Sequence, residues 1–473
     1  MDLFDHLTGA RAGRAAARPG VLVATLVFVA LVVAAVGSLG APLLTSVATT
    51  YRVSLAASQW TLTITLLTGA VAIPLLGRLG DGPRRRATVV GTLAVVVAGS
   101  LATVVPGPFW LLLAGRAAQG IGLGLTALMM AVAREHLADR ADRTIAVLSV
   151  ASTAGIGVGY PLAGLLTELA GVRAAYALGL AVTVSALAVA VAALPGDDHT
   201  RPGRPVDWAG AGLLGGGLVA VLLVTSDTAL WTARPALAPA VLAAGVLLLA
   251  GWVVAERRTP WPLVDLRALR HPAVAGANVV MGVSGVGMYL LLTLITRYAQ
   301  TPPGAGYGYG LSTFQAGLVL VPFSALGFLA GRVVPRLARR VGPFRLLVAS
   351  GGVVAAAFVL FAAARATLAG SVVAMAVLGF GVGGFSAAMP QAILAVTPVA
   401  ETASAMGLNQ VVRAVGFSTG SALGGLILAA STAPGGLLPS DHGYTVAAWA
   451  GLAVTALAMG VAAATGSRQR RRP

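Results

Sequence analysis

The 473-residue chain contains no cysteine. Disulfides, thiolate metal sites and thiol nucleophiles are thereby excluded, and the redox compartment cannot be read. Lysine is missing too, since all 32 basic residues are arginine. Charge of either sign is scarce, at 10% of residues, and acids number only 15. Against this stand 57% hydrophobic residues and a mean hydropathy of +0.88. So few charges cannot cover so much apolar surface in water, so a soluble fold is excluded. Composition therefore overrules the prior of about three soluble domains that the length alone suggests. The first apolar run, from Val21, is too long for a signal peptide and is followed by no small-residue cleavage site. It is expected to be the first membrane span.

Fourteen apolar runs follow one another, at approximately 21–45, 57–77, 87–105, 109–133, 144–168, 174–194, 208–226, 237–255, 272–296, 314–335, 344–365, 371–391, 404–431 and 444–465. Each is about as long as a bilayer-crossing helix requires. No water satisfies backbone groups inside a bilayer, and the runs lack the alternation of barrel strands, so each is expected to be a helix. The arginines test this count. With a cytoplasmic N-terminus, 25 of them fall on the cytoplasmic side, in clusters such as Arg11, Arg14 and Arg18, or Arg468 and Arg470 to Arg472. Only five (Arg52, Arg173, Arg234, Arg297 and Arg365) fall outside. That bias is the mark of fourteen spans with both ends in the cytoplasm. It also accounts for the net charge of +17 without nucleic acid, which is not expected as a partner.

The cluster GRLGDGPRRR, residues 77–86, holds Asp81 among four arginines, and GRVVPRLARR at 331–340 echoes it in the later half. A weak internal repeat of this kind is typical of secondary transporters, although any short cytoplasmic loop also collects glycine and arginine. Gly77, Gly80 and Asp81 followed by Arg84 and Arg85 resemble the signature loop between helices 2 and 3 of the major facilitator superfamily. In that family the loop latches two halves together on the cytoplasmic side. Pro335 stands in the echo where Asp81 stands here, so an acid-based latch is expected on one side only.

Further stretches carry the same resemblance. Arg116, Gln119 and Gly120, in LLLAGRAAQGIGLG, are similar to a helix 4 motif implicated in proton coupling. Gly155, Gly159, Tyr160, Pro161 and Gly164, in GIGVGYPLAGLL, resemble the antiporter motif of helix 5, with Tyr160 in place of a glycine. The stretches at 207–214, 256–269, 307–322 and 406–425 resemble the fourteen-helix drug:proton antiporter branch. The resemblance implies an all-α polytopic fold of two six-helix bundles with two extra helices between them. The implied division is a cytoplasmic segment 1–20, a bundle 21–195, a linker 196–271 holding two spans, a bundle 272–466 and a basic tail 467–473.

The branch commonly carries an acid in helix 1, where this chain has Val33. None of the fifteen acids lies mid-span by the boundaries above. A proton carrier needs a titratable group in the path, tuned by burial. Arg116, Glu168 and Asp227 are the candidates, and coupling is implied by the resemblance alone. The only deep charges are Arg116 and Arg413, which favours neutral, zwitterionic or anionic substrates over cations. Candidate substrate contacts are Trp60, Gln119, Asn278, Tyr289, Gln315, Gln391, Asn409, Gln410 and Arg413, although helix–helix hydrogen bonding would explain each as well.

The expected protein is an exporter of amphipathic small molecules in a bacterial inner membrane, exchanging substrate for protons. It is expected to be a monomer in the lipid bilayer, with no cofactor, no metal and no enzymatic activity. Three alternatives stay open. One is an exporter of a dedicated metabolite (a siderophore, a lipid or an amino-acid derivative) with weak or no coupling. Another is a membrane enzyme acting on lipid-linked substrates, disfavoured because such enzymes need acids clustered on long loops. The third is a non-transporting sensor on the same scaffold.

Overall fold

A computed structural model describes residues 19–39, 43–53, 55–197, 205–226, 236–260, 262–263, 266, 271–433 and 438–470. Asp227, Pro42, the first 18 residues and the last three lie outside them. The described chain is helical, and its one β-bridge joins Thr432 to Pro439. The helices are α1 (Pro19–Ser38), α2 (Leu44–Tyr51), α3 (Leu55–Gly80), α4 (Arg85–Val104), α5 (Phe109–Ile121), α6 (Leu125–His136), α7 (Ala141–Ala170), α8 (Val172–Ala193) and α9 (Trp208–Ser226). They continue with α10 (Leu237–Arg258), α11 (Pro272–Gln300), α12 (Thr313–Val319), α13 (Val321–Val341), α14 (Pro343–Ala364), α15 (Leu368–Leu394), α16 (Thr402–Ala430) and α17 (Asp441–Arg470). Among the described residues, twelve helices are long and apolar enough to cross a membrane. In this count α5 with α6, and α12 with α13, each form one crossing. The two other expected positions, 144–168 and 208–226, are occupied by α7, of 30 residues, and α9, of 19.

Local chemistry explains where helices begin. His271 accepts from the Ala273 amide, and Pro272 opens α11 at the first helical position, where its missing N–H is not needed. Ser312 and Gln315 cap α12 reciprocally. Asp197 accepts from the amides of Arg86 and Ala87 at the start of α4. Two differences from the sequence reading matter. The motif at 77–86 is not all loop, because α3 runs through Gly77 to Gly80, and the echo at 331–340 lies wholly inside α13, which accommodates Pro335. The expected span at 109–133 is interrupted by a 3-10 turn at Gly122–Gly124.

Packing divides the helices. In the first half α1 lies on α7 and α8, α4 on α5 and α8, and α3 on α5. In the second, α15 lies on α13 and α14, and α11 and α14 lie on α17, with α16 beside α11. The halves meet where α7 packs on α12, α13 and α15, and where α3 and α6 pack on α16. The pair α9 and α10 covers one seam, since α9 touches both α3 and α16. Leu67, Ile73, Leu214, Leu218, Trp252 and Val411 form a separate apolar core there. An apolar cavity of about 460 Å³ opens beside it, between α3, the end of α5 and α9.

Outside the membrane helices, Tyr307 and Tyr309 fold back from the α11–α12 loop onto Tyr298. Burial pushes the Tyr307 phenol up to about 12, so it stays neutral. Arg365, held charged by its hydrogen bonds to Asp441, ties α14 to α17 nearby.

Close approach of helices depends on glycine at defined points. A Cβ on Gly120 would sit 2.2 Å from the Thr65 carbonyl oxygen. With that space empty, Thr65 and Thr68 donate to the Arg116 and Ala117 carbonyls at 3.1 and 2.8 Å, joining α3 to α5. Gly120→Val is therefore expected to force α3 and α5 apart and to destabilise the protein by about 1–3 kcal/mol. A lower thermal midpoint in detergent, read by fluorescence-detected size exclusion, checks this.

Candidate functional site

Arg116 is completely buried. Its Nε donates to the Thr61 carbonyl at 3.0 Å, its Nη1 to the Val36 carbonyl at 2.8 Å and to Gln119 Oε1 at 2.7 Å, and its Nη2 to the Gly37 carbonyl at 3.0 Å. Gln119 Nε2 passes the chain on to Ser100 at 3.0 Å. One guanidinium thus joins α1, α3, α5 and, through Gln119, α4. Every acceptor is a carbonyl or amide oxygen, and Val33 is a buried core residue. A buried cation without hydrogen bonds would cost several kcal/mol. Here the planar fork is matched by partial charges in fixed positions, as only arginine allows.

A second group of residues joins the halves at one end of the molecule. Asp81 accepts from the Ser404 amide at 3.1 Å and from the Ser404 hydroxyl. The carboxylate therefore sits in the first turn of α16, where the helix dipole and free amides favour an anion. Arg134, at the end of α6, does the complementary thing. It donates to the Leu394 and Thr397 carbonyls at 2.8 and 2.7 Å, at the C-terminal end of α15, and to Thr402 Oγ1 at 2.9 Å. A cation at a helix C-terminus and an anion at the next N-terminus grip the α15–α16 turn from both sides. Arg85 supports the arrangement by pairing with Glu135 and donating to the Gly80 carbonyl, while Arg84 is exposed. Gly77 and Gly407 face each other across the seam, a Cβ on Gly407 lying 4.0 Å from the Gly77 Cα.

The motif at 155–164 lies on α7 between two neighbours. Gly155 and Gly159 fit against α1, at Leu31 and Ala35, while Gly157 fits against Ser324 of the second half. Pro161 packs against Gly317, Tyr160 is half-buried, and Gly164 is buried. Glu168 is exposed at the end of α7, and its carboxylate accepts from the Phe314 amide at 3.4 Å.

Of the candidate substrate residues, the fold brings five onto one seam, between α11 and α16. Asn409 donates to Asn278 at 3.2 Å, and Gln410 is buried beside them. One turn further along α16, the Arg413 guanidinium lies 5.7 Å over the Phe417 ring, which stacks on Tyr289 at 5.2 Å. The other four lie elsewhere. Gln119 belongs to the Arg116 group, Trp60 packs in the apolar core of α3, α9 and α16, Gln315 is exposed in its capping box, and Gln391 is half-buried near the end of α15. Sequence reasoning missed Arg134, because an arginine that follows an apolar run already has a topological explanation. Among the described residues no group of three metal-ligating side chains comes together.

Such a molecule, with two helical halves meeting along polar seams in a membrane, has the architecture of a transporter. The profile of the Major Facilitator Superfamily matches residues 26–421, and the chain belongs to that family. It is 31% identical over 381 residues to the multidrug resistance protein B homolog of Mycobacterium tuberculosis, covering 78% of this chain and 68% of that one. It is 26% identical to the multidrug efflux pump LfrA of Mycolicibacterium smegmatis over 96% of this chain and 90% of the pump. The human organic anion transporter MFSD10 (TETRAN) has the same fold, with a TM-score of 0.66 at 15% identity over 94% of this chain and 99% of that one. The protein is a multi-pass membrane transporter of this superfamily, and its relatives include bacterial multidrug efflux proteins.

Arg116→Lys keeps the charge but not the fork, and one ammonium cannot reach acceptors on α1, α3 and Gln119 together. The variant is expected to lose folded yield and transport in parallel, with destabilisation of about 1.5–3 kcal/mol. Thermal melts and transport measured on one preparation check this. Normal stability with lost transport would instead assign Arg116 to the transport cycle alone.

Proposed function

We propose that the chain exports amphipathic small molecules, drugs or antibiotics among them, by alternating access. The half from 21 to 195 rocks against the half from 272 to 466, while 196–271 contributes two further spans to a total of fourteen. Both termini face the cytoplasm of a bacterial cell, and the protein works as a monomer in the inner membrane. The observation that carries this reading is the seam at Asp81 and Arg134. Its contacts are a few polar bonds to the ends of α15 and α16, which break and re-form without unfolding either half. The similarity to multidrug efflux pumps supports the direction of transport and the kind of substrate.

Proton influx drives the cycle in this reading. Glu168, which lies where α7 meets α12, Asp227 and Arg116 are its candidate participants. A second reading, export of a dedicated metabolite with weak or no coupling, is favoured by Val33 and by the carbonyl-only surroundings of Arg116.

Cells expressing the protein are expected to accumulate less of an effluxed dye, and an uncoupler is expected to abolish the difference. Efflux that ignores an imposed pH gradient in proteoliposomes removes proton coupling and leaves export standing. The absence of energy-dependent efflux for every compound class tried removes the export reading.

The cysteine-free background makes the seam directly measurable. Gly77→Cys together with Gly407→Cys is expected to cross-link on mild oxidation, because the two positions approach at disulfide range. Adding Asp81→Asn or Arg134→Ala removes a charge-assisted contact and is expected to slow cross-linking roughly ten-fold. Unchanged cross-linking in both variants would exclude the seam as a latch.

A further inference from the structure

The apolar cavity beside α9 is a groove with a defined length and direction. Ile64, Thr68, Val71 and Leu75 follow one another along one face of α3, and Ile121 at the end of α5 and Val219 of α9 form its sides. From Ile64 to Leu76 the wall rises about 18 Å. A Cβ on Gly215 would lie 3.0 Å from Val71 Cγ1, so α9 touches α3 there, while Val219, one turn on, is exposed. The groove faces away from the seam between the halves. Ile73 and Gly77 of α3 meet Gly407 of α16, and they lie two and a half turns after Ile64 and Thr68, on the opposite face of the helix. The groove therefore opens to the bilayer and not to the space between the halves.

Its lining does not hold water. The single hydroxyl, on Thr68, already donates to the Ile64 and Ala117 carbonyls at 2.9 and 2.8 Å. An ordered water needs about two to four polar partners, and apolar cavities without them stay dry. The occupant is therefore hydrocarbon. An apolar cavity of about 150 Å³ holds one benzene, so 460 Å³ takes roughly three times as many carbons, the content of one long acyl chain. The length agrees, since the hydrocarbon of one leaflet is about 15 Å deep. The groove ends near Leu76, close to the end of α3, and the exposed charges beyond it are cationic. Arg84 follows α3, and Arg257 and Arg258 close α10, whose end is tied to the start of α9 by the Thr259 hydroxyl donating to Asp207. The acids nearby are engaged or withdrawn: Asp81 accepts from Ser404, Asp207 accepts from the Gly210 amide, and Glu256 is buried. Exposed arginines at a membrane surface attract the phosphate of an anionic lipid.

We propose that the groove is a binding site for one acyl chain of an anionic phospholipid from the leaflet on the Asp81 side. The chain lies along α3 from Leu75 to Ile64, and the headgroup sits among the arginines at the end of α3 and α10. The lipid is a resident wedge, not cargo, because the groove turns its back on the seam. It fills the gap between α3 and α9 and so steadies the pair α9 and α10 against the first half. This site is independent of the direction and the coupling of transport.

The test exchanges the full-length protein into lipid-free detergent and adds back dioleoylphosphatidylglycerol, or a phosphatidylglycerol with six-carbon chains. Bound lipid is counted by native mass spectrometry, and stability is read from thermal melts. The wild-type protein is expected to hold one long-chain lipid, with its thermal midpoint raised by about 3 °C or more, and to gain nothing from the short-chain lipid. Val219→Trp fills the groove from an exposed position. It is expected to weaken long-chain binding by at least about ten-fold, with a melt in lipid-free detergent like that of the wild type. Ile64→Phe fills it from the opposite wall, is expected to do the same, and guards against a folding defect in the first variant. Val246→Trp, on the exposed face of α10, is expected to bind like the wild type. Long-chain binding within about two-fold of wild type in the filled variants overturns the proposal. Equal stabilisation by the short-chain lipid, or no lipid bound by the wild type, overturns it as well. Displacement of the lipid by a dye that the protein exports assigns the groove to cargo and overturns it too.

Discussion

Inside a bilayer no water completes an unmade hydrogen bond, so every polar group at depth must find its partner within the protein. Arg116 shows how far this constraint reaches. A completely buried guanidinium has to be surrounded by acceptors, and here they come from the backbone of two other helices and a glutamine of its own. The ends of α1, α3 and α5 are thereby held in one register, with α4 attached through Gln119 and Ser100. The threonine contacts between α3 and α5 follow from the same approach, which Gly120 permits.

Contacts between the halves include glycine packing along α7 and an apolar core between α3, α9 and α16, and add polar ties at helix ends. Within a half, helices interlock through glycine against backbone and through continuous apolar packing. At the seam of α3 and α6 with α16, the ties are charged side chains on helix ends. Such ties are strong in place and, once broken, are readily replaced by water, because both partners lie near the membrane surface. The pair α9 and α10 lies across the same seam and touches both halves, so any relative movement of α3 and α16 also shears α9.

Much of this was legible in the residues. The positions of the helices followed from apolar run length, and of the motif at 77–86 Gly77 and Asp81 lie where α3 meets α16, while Gly80 packs on Leu128 of α6. Five of the nine candidate residues, Asn278, Tyr289, Asn409, Gln410 and Arg413, lie on α11 and α16, two helices that pack on each other. Gln315 illustrates the opposite case. Its capping role depends on Ser312 three residues earlier, a local pattern that resembles any polar residue near a span. Arg134 was hidden for a different reason: an arginine after an apolar run satisfies the topology rule whether or not it also binds across the seam.

Hydropathy and the placement of arginine alone were enough to require a helical membrane protein, because both act through solvation of single segments and need no knowledge of neighbours. Which helices touch, that Arg116 lacks a carboxylate partner, and that Asp81 and Arg134 meet opposite ends of one turn were decided only by the tertiary packing. Those are relations between residues up to 323 positions apart, and no local pattern carries them.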